Sequence, residues 1–394
     1  MALDESTGIR AVIEGTKEKR KKHAVRMLLY SDEDVREHPE HWHMIDPAKA
    51  KDYTKPLIAS LKDKSWRHKP PRHMRRFCRM RSSIGGKWRD LYVPKLEDHI
   101  IAHMIMIASM PAFTRGMHPH CCGSVPNRGI KHILRMCNTW FRKDTKCRYF
   151  VKLDIRHFFD SIDGDRLMET MRSKIKDPDI LWAHEQIIRS APVACPIGYY
   201  TSPWYANLYL ERLDWYVEQK LYKERRGKRI KYVKHYLRYA DDILLMGTSK
   251  SDLGKAISAI KEQLGDLGLE LKPTWEIKRI GKHVIIDGKR RLEPNTYWCD
   301  IGGYKFCRDS TIMRDGVFLS TKRLVKKMYA DEHYTPYKCK SLQAKLGWAC
   351  HSDSMNFLSD SVKPYVNLKE IRKVISDVDK DGKRQREQAR KDQG

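Results

Sequence analysis

The stretch His235-Tyr-Leu-Arg-Tyr239-Ala-Asp241-Asp242-Ile-Leu-Leu-Met-Gly247 constrains this chain more than any other, because two adjacent carboxylates interrupt two apolar, strand-like runs. The pattern predicts a hairpin with acid at its tip. Tyr236, Leu237 and Tyr239 on one side, and Ile243 to Met246 on the other, have the content of buried strands, and Gly247 stops the second. An Asp-Asp dipeptide by itself is more often a solvated turn than a ligand pair. Two aspartates held close repel one another unless a cation joins them, and oxygen ligands on a tight turn suit Mg²⁺.

A second acidic site lifts this reading above the solvated turn. Tyr149-Phe-Val-Lys-Leu-Asp154-Ile155-Arg-His-Phe-Phe159 delivers Asp154 at the end of another predicted strand, ahead of a helix-like segment over 164–175. Two strand-borne acidic sites so far apart in sequence meet only within one sheet. Together they form the three-carboxylate cradle that two-metal phosphoryl or nucleotidyl transfer requires.

Between the two lies Cys195-Pro196-Ile197-Gly198-Tyr-Tyr-Thr-Ser202-Pro203-Trp-Tyr-Ala206-Asn207-Leu-Tyr-Leu210. In this order the three segments resemble the palm motifs of reverse transcriptases: strand-Asp-x4-Phe, Pro-x-Gly-x-x-x-Ser-Pro-x-x-Ala-Asn and Tyr-x-Asp-Asp. The likeness covers roughly residues 70–375. It implies an α+β right-hand polymerase, with fingers, a palm built on an antiparallel catalytic sheet, and a small helical thumb. The activity implied is RNA-directed DNA synthesis from dNTPs. Two Mg²⁺ ions, or Mn²⁺ in their place, would be held by Asp154, Asp241 and Asp242, with the carbonyl of Ile155 assisting. Phe159 would lie beneath the sugar of the incoming nucleotide and select deoxyribose, with Phe158 in the core. Tyr239 would face the primer and template, and Gly198 would let the backbone approach template and nucleotide.

Further along the chain the same likeness assigns more positions. Lys87 and Arg89 match the fingertip strand that lies over the triphosphate, followed by a Met- and Ile-rich helix ending near Pro111. Arg128-Gly129 matches the next fingers motif. The family's lysine near the pyrophosphate aligns with Trp275, so Lys272 or Lys278 would have to replace it, with Lys272 counted among the nucleotide-binding residues. Gly303 and Tyr304, in Asp300-Ile-Gly-Gly303-Tyr304, match the turn that grips the primer end. The chain departs from the group II intron type at Ile197, where Gln is usual, and from the diversity-generating type at Ser202-Pro203, where Ser-Gln is usual. Anti-phage defence or a retroelement is the expected setting, with a diversity-generating retroelement as the alternative. An RNA-dependent RNA polymerase fits less well: it typically has Gly-Asp-Asp and an acid at the position of Phe159. An inactive RNA-binding scaffold would tolerate loss of carboxylates, and none is lost.

The balance of charge agrees with a polyanionic partner. Over 394 residues, 41% of them hydrophobic, the formal net charge is +28, which points to an RNA template and a DNA product. Lys17, Lys19, Arg20, Lys21 and Lys22 form one basic run; Lys62 to Arg81 interleaves cations with Trp66, His68, His73 and Phe77, a mixture suited to splayed bases. Lys220 to Lys234, with Arg225 and Arg226 at its centre, is a basic insertion whose nearness in sequence to the catalytic hairpin suggests primer or template contact.

The domain expectation is a basic helical extension over 1–60, fingers over 61–150, palm over 151–310, thumb over 311–375 and a charged tail over 376–394 without apolar periodicity. No apolar run is long enough to span a membrane, no leader is evident, and a cytoplasmic protein with free thiols is expected. His118-Pro-His120-Cys121-Cys122 has no second ligand pair at zinc-finger spacing. An accessory protein or a second copy of the chain is a further expected partner.

Overall fold

In the computed structural model, residues 50–79, 86–331 and 334–391 are described, together with Thr7. The basic run Lys17 to Lys22 and Arg81 fall outside them. From residue 50, α1 (Ala50–Lys62) leads to a hairpin of β1 (Arg72–Arg79) and β2 (Gly86–Val93), then α2 (Leu96–Thr114) and α3 (Ile130–Lys143). Strand β3 (Tyr149–Asp154) is followed by α4 (Gly164–Lys174), α5 (Pro178–Ile188), α6 (Ser202–Tyr209) and α7 (Glu211–Gln219). Two hairpins come next, β4 (Tyr222–Arg225) with β5 (Lys228–Lys231), and β6 (His235–Tyr239) with β7 (Asp242–Gly247). After α8 (Lys250–Asp266) come β8 (Lys278–Arg279), the hairpin of β9 (His283–Ile286) and β10 (Lys289–Leu292), and a meander of β11 (Cys299–Ile301), β12 (Tyr304–Phe306) and β13 (Thr311–Met313). Helices α9 (Asp315–Tyr329), α10 (Pro336–Cys350), α11 (Met355–Ser361) and α12 (Leu368–Lys391) follow.

The organising element is a four-stranded sheet in the order β6-β7-β3-β8, each neighbouring pair antiparallel. Its strands are apolar on both faces, and alternation sorts them. Val151, Leu153, Ile243, Leu245 and Tyr236 join a core built mainly with α2, α4, α5, α6 and α8. Phe150, Leu237, Leu244 and Met246 join a second core with α3 and the β11–β12 strands. Helix α2 shows why one face needs no polar side: Ile100, Ile101, Met104 and Ile105 are all fully buried, and such a helix belongs inside. It also runs through Pro111 to Thr114 instead of stopping there, the proline being taken into its last turn.

Local signals set several boundaries. Asp163 and Asp177 accept two backbone N–H groups each at the starts of α4 and α5, and Ser249 caps α8. The basic insertion is itself a hairpin, turned at Arg226 (φ +51°) and Gly227 (φ +71°). A third core, from Met313, Val325, Met328, Leu342, Phe357 and Ile371, holds α9 to α12 together and leaves Lys322, Arg323, Lys326 and Lys327 exposed. Two expected boundaries are corrected. Helix α1 crosses residue 60 and puts Ile58 and Leu61 into the main core, and α12 passes uninterrupted from residue 368 through the boundary drawn at 375. No helix among the described residues is long and apolar enough to cross a membrane.

Candidate active site

The sheet brings the two acidic sites into register. Asp154, the last residue of β3, lies directly opposite Asp242, the first of β7. On its other side, the Asp154 carbonyl accepts from the Lys272 N–H at 2.8 Å and the Arg156 N–H donates to the Glu270 carbonyl at 2.7 Å. Asp154 therefore turns its backbone groups away from β7 and meets Asp242 as a non-hydrogen-bonded pair, the kind with the closest side chains. By the same alternation the Ile155 carbonyl lies on the β7 side of the chain.

Asp241 sits in the two-residue turn between Tyr239 and Asp242, behind Ala240, whose φ of +55° is uncommon for a residue with a side chain. Burial pushes the Asp241 carboxyl above the usual range, and the charges of Asp154 and Asp242 push it further. Negative charge is thus in excess here, and two lysines answer it. Lys272 Nζ is 2.6 Å from Asp154 Oδ1, and Lys152 Nζ is 3.8 Å from Asp242 Oδ1. Asp154 Oδ1 is enclosed and accepts no hydrogen bond of proper geometry, although its side chain as a whole is 39% exposed.

An enclosed oxygen with only an ammonium beside it is the environment a cation would complete. Asp154, Asp241 and Asp242 do not all converge to within 4.8 Å of one another. A magnesium ion does not demand that, since it keeps several waters and takes few direct protein ligands. The donor set is all oxygen, so it fits hard cations. Of the two expected stand-ins for the missing family lysine, Lys272 is at the carboxylates, whereas Lys278 pairs with Glu276 at 3.4 Å and lies over the Tyr297 ring.

What fixes the turn is a buried network that sequence reasoning left without a role. Arg238 and Asp214 are both fully enclosed and joined by two parallel bonds of 2.7 Å. Arg238 also donates to the Ala240 carbonyl and to the Asn207 side chain, each at 3.2 Å, and Asn207 Nδ2 donates to the Gly123 carbonyl at 2.7 Å. A Cβ on Gly123 would stand 2.7 Å from the Ala240 nitrogen, so the loop packs directly on the turn. The signal was present: a charged residue inside a buried strand must find a partner, and Arg238 is one.

The other expected residues divide. Phe158 is buried and Phe159 half-buried, their rings 5.4 Å apart. They lie on a 3-10 turn over Phe158–Ser161 entered at His157 (φ +45°), so helical rotation separates them. Lys87 and Arg89 are exposed on one face of β2, with Phe77 and Trp88 edge to face on the other. Tyr239 is 36% exposed beside the carboxylates.

Three further placements are set by packing and position. Gly198 (φ +118°) packs on the fingers hairpin: a Cβ there would lie 2.3 Å from the Tyr92 carbonyl oxygen, and the Tyr92 N–H donates to the Ile197 carbonyl at 2.8 Å. Its glycine is explained by docking β2 to the palm. Tyr304 is 3% exposed with its ring 4.9 Å from Trp348, and a Cβ on Gly303 would strike the same indole at 2.3 Å. The β11–β12 turn is therefore packed on α10, with the Tyr304 ring inside. Arg225 and Arg226 stand at the exposed turn end of the β4–β5 hairpin, which precedes β6 in the chain.

A family model described as "Reverse transcriptase (RNA-dependent DNA polymerase)" matches residues 81–274, which hold all three aspartates and Lys272. The chain is 28% identical over 269 residues to the retron Ec73 reverse transcriptase of Escherichia coli, covering 63% of this chain and 76% of that one. Protein YkfC of Escherichia coli (strain K12) is 27% identical over 213 residues, covering 45% of this chain and 55% of that one. The group II intron-encoded protein LtrA of Lactococcus lactis subsp. cremoris is 28% identical over 175 residues, covering 42% of this chain and 28% of that one. The chain thus spans about three quarters of the first of these relatives, about half of the second and little more than a quarter of the third.

Proposed function

The chain belongs to the bacterial reverse transcriptase family and is an RNA-directed DNA polymerase, and from that premise we propose that it adds dNTPs to a primer 3′ hydroxyl by two-metal nucleotidyl transfer at Asp154, Asp241 and Asp242. The observation that carries this reading is the pairing of Asp154 with Asp242 across β3 and β7, with Asp241 in the adjoining turn. When bound, the two ions would lower the pKa of the primer hydroxyl and offset charge on the leaving pyrophosphate. Mg²⁺ suits a set of carboxylates and the Ile155 carbonyl, with Mn²⁺ as a substitute.

The chain's own groups supply the remaining work. Lys272 holds Asp154 in the absence of ions and, released from it, donates a proton to the pyrophosphate. Lys87 and Arg89 bind the triphosphate from the fingers side. Phe159 packs under the sugar and excludes a 2′ hydroxyl, while Tyr239 contacts the primer end. An RNA template enters, a DNA product leaves, and an accessory protein or a second copy joins the complex. A retroelement setting draws support from the retron and intron-encoded relatives; the anti-phage and diversity-generating settings rest on the sequence departures at Ile197 and Ser202-Pro203.

Primer extension on an RNA template tests the chemistry. Incorporation should require Mg²⁺ or Mn²⁺ and favour dNTPs over rNTPs by about 10-fold or more. Equal or preferred use of rNTPs would overturn the sugar gate and revive the RNA-polymerase reading.

A further inference from the structure

A second cluster of ligating side chains lies well away from the carboxylates in sequence and differs from them in chemistry. His283 opens β9, and Cys307 and Asp309 belong to the tight loop that joins β12 to β13, where the Cys307 N–H donates to the Ser310 carbonyl at 2.9 Å. The three side chains converge. His283 Nδ1 is 2.9 Å from Asp309 Oδ1, Cys307 Sγ is 3.2 Å from the same oxygen, and Cys307 Sγ is 4.0 Å from His283 Nδ1. Among the described residues it is the one set of His, Cys, Asp or Glu whose donor atoms all lie within 4.8 Å of one another.

We propose that His283, Cys307 and Asp309 form a transition-metal site of the zinc class, distinct from the magnesium site in the palm, with water as the fourth ligand. Tetrahedral zinc has bonds of about 2.0–2.1 Å to nitrogen and oxygen and about 2.3 Å to sulfur, which sets donor atoms about 3.3–3.6 Å apart. The three observed separations bracket that interval, so shifts of a few tenths of an ångström would seat the ion. One thiolate, one imidazole and one carboxylate select Zn²⁺ or Co²⁺ over Mg²⁺, whereas the palm site offers oxygen alone. The two sites thereby sort metals by hardness.

Arg290 sits beside the cluster, with Nη2 3.1 Å from Asp309 Oδ2 and 3.4 Å from His283 Nδ1. Its side chain is 61% exposed, so it can leave the imidazole while keeping Oδ2, the oxygen the ion does not need. A guanidinium on the outer oxygen is the sort of support that orients a ligating carboxylate. On binding, the thiol proton is released to solvent and the sulfur–metal bond forms in its place, with no change of oxidation state. The ion would fasten the β9–β10 hairpin, a two-stranded element that exposes Ile285 and is marginal unaided, to the β12–β13 loop.

Cobalt titration of the full chain, stripped with a chelator, reads the site without any assay of polymerisation. Co²⁺ should produce a thiolate-to-cobalt charge-transfer band that saturates at one equivalent and is displaced by Zn²⁺. The band should vanish in Cys307→Ser and need at least ~10-fold more cobalt in His283→Gln. It should persist in Cys350→Ser, which removes an exposed thiol, and in Asp241→Asn, which alters only the palm. Absence of the band in the parent overturns the proposal. So does a band that survives in Cys307→Ser, or, should that variant not fold, one unchanged in His283→Gln.

Discussion

Two neighbouring hairpins in this chain are built on opposite terms. In β6–β7 both strands are nearly all buried, whereas β4–β5 is exposed along most of its length. The turn of the exposed hairpin is Arg226-Gly227, with a glycine at positive φ and nothing within 4 Å of where its Cβ would be. The catalytic turn puts Ala240 at φ +55° with no glycine, under Gly123 and on a bond from Arg238. One hairpin is shaped by its own turn residues; the other is held by the molecule around it. Backbone strain retained at a site over-determined by its surroundings is the arrangement found where geometry serves chemistry.

Breaking the network should destabilise the fold at least as much as any other change. Asp214→Ala would leave Arg238 charged, enclosed and unpaired, and chemical denaturation should show a loss of about 3–5 kcal/mol. A loss under about 1 kcal/mol would mean that Arg238 escapes to water and does not hold the turn.

Sugar selection comes next. Phe159→Val should raise rNTP use relative to dNTP by about 10-fold or more, about 1.4 kcal/mol at the barrier, in single-nucleotide kinetics. Phe158→Ala, in the core, should mainly lower stability by about 3–5 kcal/mol with discrimination retained. The reverse pattern would exchange the roles of the two rings.

The turns themselves offer a smaller, paired effect. Gly227→Ala should cost about 1 kcal/mol, because only its own backbone sets that turn. Ala240→Gly should be neutral or stabilising by up to about 1 kcal/mol, since it relieves φ strain while gaining chain entropy in the unfolded state. Thermal melts with equal losses at both positions would erase the contrast between the hairpins.

The contrast also explains what the sequence could and could not disclose. Alternating apolar residues ending in acid specify strand, face and tip, so Asp154, Asp241 and Asp242 were legible together. So was α4, expected over 164–175 and found over Gly164–Lys174, because its signal is local. That the basic insertion folds as its own exposed hairpin was not, because a run of like charges carries no strand alternation. The packing of Tyr304 was not legible because its partner Trp348 comes from α10, nor that of Gly198 because its neighbour Tyr92 comes from β2. Lys272 was separable from Lys278 only once the chain after α8 was seen to run back along β3.

The most direct measurement sets chemistry against affinity at the two hairpins, using RNA binding over a range of salt and primer extension on the same preparations. Asp154→Asn and Asp241→Asn should lose extension by about 10³-fold or more while RNA affinity changes by less than about 2-fold. Neutralising Arg225, Arg226, Lys228 and Arg229 together should weaken binding and lower its log–log salt slope by about 0.7–0.9 for each phosphate left without its cation, with extension preserved at saturating RNA. Extension near the parent level in both aspartate variants would contradict the assignment of the active site to the β3–β7 carboxylates.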